Sequence, residues 1–378
     1  MNLLYRYFTV KNKIKSEIEK ELGDLSIKRA IQDYHAKRRP RACGLTVHTG
    51  VGCKAACLYC YIYDMGFSTK TLKYPLTVKE LIYSLTINPY VLPGKVGTLF
   101  ALGSVTEPFQ EETKDFSLRL ISDINRYLGN PTQISTKWHL SKEDIRRLKL
   151  SDPNLSILYT FITYRYHDKL EPNAPSIEDR METIKGLVKA GLNISIFIRP
   201  IIPGITDVEA RDILKVIVEA GVKSVVLGTL RVTKRIYRRL AIFPNVLREL
   251  NSRVNTSKLS SRQVNIRGRD LKLKISRIAK EYGLKVYPSA CSANIDHHKL
   301  GCKMCRYGPC GNIKNIPTPS ESDIQDFIRE LGVKGMVNVD IDEHIKITIP
   351  CTQDRAITNV IKYVVSYAYM TKVNIHFR

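Results

Sequence analysis

Cys53, Cys57 and Cys60 fall within eight consecutive residues, with Gly50 and Gly52 just before them and Tyr59 between the last two. Thiolates are soft metal ligands, and glycines permit the tight turns that let one loop wrap three of them around a single inorganic centre. Three ligands are one short of what a cubane iron–sulfur cluster or a tetrahedral zinc takes, so the last coordination position is open to a group that is not a cysteine. Two other readings stay open: three small buried apolar side chains, or a zinc site completed by His48.

A second set follows far downstream. Cys291, Cys302, Cys305 and Cys310 are spaced x10, x2 and x4, with Gly301, Gly308, Pro309 and Gly311 around them as turn formers. Four thiols can close a site, which predicts a second iron–sulfur cluster held fully by protein, a structural zinc, or else free thiols or a disulfide. His297 and His298 lie in the x10 stretch, read as a loop, where they can replace a cysteine at the metal or simply be solvated. Cys43, at the start of the first strand, and Cys351 read as packing residues.

Elements able to position these groups alternate along the chain. Apolar strands are expected at 44–49, 96–104, 132–136, 156–163, 193–199 and 224–232, with helical segments at 77–86, 115–127, 142–148, 176–190 and 208–220 between them. Strands apolar on both faces, each followed by a covering helix, imply a parallel sheet with right-handed crossovers. The expected fold is α/β, a partial (β/α)6 TIM-like barrel whose strand ends share one mouth. Its limits are set at 39–288, after a helical leader (1–38) that ends in a basic linker, Ala36 to Ala42. A Cys-rich metal segment (289–316) and a small C-terminal α+β unit (317–378) complete the organisation. Thr163 and Arg199 sit near the mouth, Thr163 within reach of a ribose and Arg199 of a carboxylate.

Composition limits the function classes. A hydrophobic share of 43% and a charged share of 25% suit a globular protein, and no apolar run approaches a membrane span. The leader has no signal-peptide pattern, which predicts a cytoplasmic chain in which nine cysteines stay reduced. A net charge of +24 attracts polyanions, and the basic runs KRRPR, RRLKL, RVTKRIYRR and SRQVNIRGRDLKLK fit a phosphate backbone or a merely solvated face.

Cys-x3-Cys-x2-Cys with an aromatic residue before the last cysteine, at the end of a first barrel strand, resembles the signature of radical S-adenosylmethionine (radical SAM) enzymes. The resemblance implies that Cys53, Cys57 and Cys60 hold a [4Fe-4S] cluster whose fourth iron is chelated by S-adenosylmethionine, with Tyr59 beside the adenine. It also implies reductive cleavage of that cofactor to a 5′-deoxyadenosyl radical, which takes a hydrogen atom from a substrate in lyase- or transferase-type chemistry. The electron comes from a donor such as ferredoxin or flavodoxin. In ALGSVTEPFQ the contacts implied for the cofactor's amino group are Gly103, Ser104, Thr106 and Glu107.

TEPFQ, STKWHLSKEDIRRL, LEPNAPSIEDRMETIKGLVKAGL and RPIIPGITD together resemble the spore photoproduct lyase-like branch, the DNA repair photolyases, over residues 39–240. That branch implies a nucleic-acid substrate, DNA or RNA, for repair or base modification. One departure stands out. Thymine photoproduct lyases use a cysteine hydrogen donor near the end of the second strand, and this chain has no cysteine between Cys60 and Cys291. Ser104 in that place has too strong an O–H bond to serve. The alternatives are a radical SAM enzyme acting on a peptide or small metabolite, and a non-enzymatic zinc-stapled nucleic-acid-binding protein.

Overall fold

The computed structural model describes residues 3–41, 44–351 and 354–378; Cys43 lies outside them. Its central sheet has seven strands: β1 (Leu45–Val47), β2 (Phe100–Leu102), β3 (Thr132–Thr136), β4 (Ser156–Thr160), β5 (Asn193–Ile201), β6 (Ser224–Thr229) and β7 (Lys285–Tyr287). Spatial order equals chain order, and every neighbouring pair is parallel. Each crossover therefore steps one strand in the same direction, which curls the sheet into a partial barrel. The seventh strand extends the six expected, and β2 and β4 end earlier than their apolar runs do.

Alternation along the strands separates two environments. Ile157 and Tyr159 of β4, Ile196 and Ile198 of β5, and Val225 and Leu227 of β6 point outward. They pack in one large core with Ile145, Ile184, Leu187, Ile213, Ile217 and Ile275 from the covering helices. Thr77 and Ser141 start two of these helices with capping boxes to Glu80 and Asp144, which satisfy first-turn N–H groups otherwise left unpaired. The basic leader is not a free linker. Its helices Arg6–Glu19 and Asp24–Gln32 bury Ile14, Ile18 and Ala30 in the same core, and the Asn88 side-chain amide donates to the carbonyls of His35 and Arg38.

On the concave face, Leu158, Phe197, Val226 and Tyr287 pack against Ala290 and Ala293 of a helix, Ala290–His297. The x10 stretch between Cys291 and Cys302 is thus mostly helix rather than the expected loop, and it plugs the barrel at the strands' N-terminal ends. His297 and His298 are not solvated loop residues. Nδ1 of His297 lies 2.8 Å from Ser156 Oγ and its Nε2 3.3 Å from Ser195 Oγ, while His298 Nδ1 is 2.9 Å from the Asn294 carbonyl. Gln133 completes the polar floor by donating to Ser156 Oγ and the Ala290 carbonyl, each at 2.9 Å.

The C-terminal unit holds a three-stranded sheet in which Ile345–Ile349 pairs antiparallel with Asn338–Ile341 and parallel with Val373–Phe377, under helices Glu321–Glu330 and Arg355–Tyr369. Its core is continuous with Leu4, Leu92, Leu99, Ile295 and Leu300 from the leader, barrel and plug. It is a lobe fused to the barrel, not a tethered appendage.

Burial lowers the His297 pKa from 6.5 to about 4, the nearby Asp296 carboxylate opposing only in part. The unfolded chain takes up that proton first as pH falls, so the stability held by the neutral ring is complete above about pH 6.5 and is lost toward about pH 4. His297→Gln is expected to flatten the urea midpoint across that window, and an unchanged pH slope would count against a buried neutral imidazole in the floor.

Candidate metal centre

A two-residue strand, Gly50–Val51, leaves β1 and pairs with Leu72–Lys73, and the cysteine loop follows it. Gly52 takes φ +75°, and a Cβ there would run into the carbonyls of Lys70 and Ser68, so only glycine lets the chain turn at this point. The loop is pinned from several sides. Cys53 N donates to Ser68 O at 3.2 Å, Leu58 N to Leu170 O at 2.9 Å, Asn173 Nδ2 to Lys54 O at 2.9 Å, and the Tyr63 hydroxyl to Cys53 O at 2.9 Å.

Cys57 is buried and Cys53 and Cys60 are half-buried. Burial pushes the Cys53 thiol up to about 12, helped by Glu107 and opposed by the N–H of Ala55; it pushes Cys60 to about 11, helped by Cys57 and opposed by the N–H of Ile62. Burial also raises Cys57, against Lys137. Three such thiols stay protonated at neutral pH unless a metal takes the place of their protons.

Two side-chain donors already reach sulfur: Lys137 Nζ lies 3.4 Å from Cys57 Sγ, and Gln110 Nε2 3.6 Å from Cys53 Sγ. Lys137 follows directly on β3, and its ammonium is held between the Tyr59 hydroxyl and the Glu171 carboxylate. Glu171 also accepts the Tyr59 hydroxyl and, at 2.5 Å, Arg180 Nη1, with Glu171 and Arg180 both fully buried. Burial alone would raise Glu171, but Lys137 and Arg180 hold it down at about 2. Burial works against the Lys137 charge, and Cys57 and Glu171 outweigh it, leaving that ammonium above its ordinary range.

Gly103 follows β2 with φ +86°, where a Cβ would strike the Ser135 carbonyl and come within 3.0 Å of Pro108 Cγ. Ser104 O accepts from the Tyr61 hydroxyl at 2.8 Å. Thr106 is buried with no hydrogen-bond partner for its hydroxyl. Glu107 is buried too, accepting from Thr136 Oγ1 at 2.5 Å and Lys137 N at 3.1 Å, and burial raises its carboxyl to about 7. Residues 103–107 and the three cysteines thus share one mouth with Tyr59 and Lys137.

Other expected residues fall differently. Thr163 lies beyond the end of β4, fully buried, and its hydroxyl donates to Glu209 Oε2 at 2.7 Å, so it is not available to a ribose. His48 does not complete the thiol set: its Nε2 is 3.1 Å from Arg38 Nη1 and its ring packs against His35, one strand position turned from the loop. Arg199 is exposed on β5, its stem lying where a Cβ on Gly228 would be, 2.6 Å from Cδ. Lys137, Glu171, Arg180 and Gln110 had no assigned role in the sequence; the available signal was that polar residues directly follow buried strands on the mouth side.

Residues 47–217 match the model of the Radical SAM superfamily. Over that stretch the chain is similar to the domain of that enzyme superfamily. A variant of spore photoproduct lyase with bound AdoMet and dinucleoside spore photoproduct shares its fold, at 14% identity and TM-score 0.54 over 68% of this chain and 81% of that one. A second variant of the same enzyme aligns at 15% and 0.51 over 64% and 75%. An uncharacterized protein of Methanocaldococcus jannaschii is 29% identical over 167 residues, 42% of this chain, which spans 61% of that relative's length.

Replacing Glu171 by Gln leaves Arg180 and Lys137 as buried cations without a counter-charge, and is expected to cost roughly 3–5 kcal/mol. The depressed carboxyl contributes stability that is present above about pH 4.5 and lost as pH falls toward about 2. Denaturant titrations of Glu171→Gln should therefore lack the wild-type acid limb; the same limb in both proteins would remove Glu171 from the network.

Proposed function

We propose that this chain is a radical SAM enzyme acting on nucleic acid. The observation that carries the first half is a single pinned loop bearing three thiols, two of them already approached by Lys137 and Gln110, beside a glycine cradle and an unpartnered buried hydroxyl. The donor set fits the group: Cys53, Cys57 and Cys60 would hold a [4Fe-4S] cluster, and Gly103, Ser104, Thr106 and Glu107 would receive the amino-acid end of S-adenosylmethionine. When bound, that pair supplies a carbon-centred radical able to take a hydrogen atom, given one electron from an external donor such as a ferredoxin or flavodoxin.

The protein's own residues do the positioning. Lys137 and Gln110 donate hydrogen bonds toward sulfur, and Glu171 with Arg180 fixes Lys137 in place. Tyr61, braced on Ser104, stands between the cysteine loop and the end of β2. The Tyr59 hydroxyl is spent on Glu171 and Lys137, and the Lys137 ammonium lies 4.9 Å from the Tyr59 ring centroid.

The nucleic-acid half is supported by where the positive charge lies. The helix Lys234–Leu240 touches the cysteine loop's own continuation: Arg235 Nη1 donates to Tyr63 O at 3.2 Å, and the Arg235 and Arg239 guanidinium groups lie 5.9 and 4.9 Å from the Tyr63 ring centroid. Arg199, Arg231 and Arg41 act together on Tyr61, pulling its pKa back against burial. A phosphate backbone drawn by the net charge of +24 would meet these arginines beside the mouth. Ser104, where photoproduct lyases place a cysteine, favours another repair or base-modification reaction over thymine photoproduct reversal.

Anaerobic reconstitution with iron and sulfide, reduction, and chromatography should yield 5′-deoxyadenosine from S-adenosylmethionine, with none from Cys57→Ala. Absence of 5′-deoxyadenosine from wild-type protein with a full iron complement would refute the enzymatic reading. DNA and tRNA binding should weaken linearly in log salt, and Arg235→Ala with Arg239→Ala should shrink that slope by about 2. Salt-independent binding would leave the cofactor chemistry standing and remove nucleic acid as substrate.

A further inference from the structure

The second cysteine set takes no part in the reaction proposed above, yet it is built with as much local constraint as the first. Cys291 lies on the first turn of the plug helix, Cys302 and Cys310 on two short antiparallel strands, and Cys305 on the turn between them. The strand register sets Cys302 opposite Cys310 and Gly301 opposite Gly311. Neither glycine can carry a side chain, because a Cβ on Gly301 would strike the Asn312 carbonyl and one on Gly311, at φ +67°, the Leu300 carbonyl. A Cβ on Gly308 would come within 3.1 Å of the Cys302 carbonyl, and Gly308 N donates to Cys305 O at 2.9 Å, closing the turn between them.

The thiols share a neighbourhood. All four cysteines are half-buried. The backbone of Met304, two residues on, works against the effect of burial on Cys302, as that of Ala55 does for Cys53 and that of Ile62 for Cys60. Cys291, Cys305 and Cys310 all lie close enough to Cys302 to act on it electrostatically. Ser289 Oγ lies 3.2 Å from Cys291 Sγ and Ser292 Oγ 3.6 Å from Cys310 Sγ, so hydroxyls already approach two of the sulfurs. Four thiols in one neighbourhood, two of them with a serine hydroxyl oxygen 3.2 or 3.6 Å from sulfur, are poorly explained as apolar packing, which needs no polar partners.

We propose that Cys291, Cys302, Cys305 and Cys310 form a second metal centre, a site of four thiolates for an iron–sulfur cluster or a zinc ion, which locks the plug helix to the C-terminal lobe. Four protein ligands saturate either group, so this centre has no open corner for a cofactor, in contrast to the three-thiol loop at the mouth. Its place in the fold defines the lock. Cys291 belongs to the helix whose other end puts His297 between Ser156 and Ser195 in the barrel floor. The hairpin bearing the other three is joined to the lobe, Lys303 N donating to Met370 O at 2.8 Å and Lys303 bridging to Thr371. Cys291, Cys302 and Cys310 also pack against the core of that lobe. Metal at this centre therefore sets how deep the plug sits, and so the floor beneath the substrate cavity.

The test empties the first site and asks whether the second remains. The full chain carrying Cys53→Ala, Cys57→Ala and Cys60→Ala is reconstituted anaerobically with iron and sulfide, and separately with zinc, then desalted and analysed for metal and acid-labile sulfide. About four irons with matching sulfide identifies a cluster, and about one zinc without sulfide a zinc site. Either should disappear when Cys302→Ser and Cys305→Ser are added. No stoichiometric metal in the triple variant, or metal undiminished by the two serines, would overturn the proposal. Hydrogen exchange of the triple variant serves where the quintuple variant does not fold: adding metal should slow exchange in residues 290–297 and 301–311, and unaltered rates in both segments would equally overturn it.

Discussion

Burying a thiol removes the water that its thiolate needs, and that cost governs the mouth of this barrel. The loop around Cys53, Cys57 and Cys60 is held in a shape that leaves the thiols protonated and unreactive on their own. What surrounds them compensates in kind: backbone N–H groups two residues on, an amide from Gln110 and an ammonium from Lys137. Such a pocket is poised to exchange protons for a metal of high positive charge. Burial works against the Lys137 charge, which Cys57 and Glu171 uphold, and against the Glu171 charge, which Lys137 and Arg180 uphold in turn. The chain of compensation runs from sulfur through three side chains, Lys137, Glu171 and Arg180, to the helix that begins after Ser176, so the site is stabilised from the outer layer of the fold.

The in-order parallel sheet makes this arrangement possible. Seven strands that each step one place in the same direction carry their C-terminal ends to a single rim, and it is there that the cysteine loop, the Gly103 turn, Lys137 and Arg199 meet. A sheet of this kind leaves its concave face to be filled. Hydrophobic side chains fill the middle, and the plug helix fills the far end, where His297 meets Ser156 and Ser195 and the Ala290 carbonyl accepts from Gln133.

How much of this was readable beforehand depends on the range of the interaction. The three-thiol loop was legible because its ligands are close in sequence and its glycines mark the turns. The sheet was legible because both faces of its strands are apolar, and the lobe because Ile345, Ile347 and Ile349 alternate with polar residues. Pairings across long separations were not. Lys137 and Glu171 stand 34 residues apart, and nothing in either segment alone says that they meet. His48 looked like a ligand by proximity in sequence, but its ring packs against His35 and Tyr74 instead. Thr163 was placed on a strand that ends at Thr160, and there its hydroxyl found Glu209 first.

The plug helix shows the same limit most fully. Ser289 to His298 is polar, carries two adjacent histidines and looks like a loop, since a helix is read from one apolar stripe against a wet face. This helix has no wet face to contrast: alanines pack on Leu158 and Val226 on one side, while His297 meets Ser156 and Ser195, Asn294 donates to the Pro131 carbonyl, and the Ala290 carbonyl accepts from Gln133 in the barrel floor. Its pattern makes sense only once the cavity it fills is known, and that cavity is made by strands more than 100 residues upstream. A segment whose partners are both polar and distant reads as irregular by every local rule, and the same property makes it suited to sit beneath a reactive cavity. Its contacts are directional hydrogen bonds, so its depth is set by geometry at both ends rather than by apolar contact area alone.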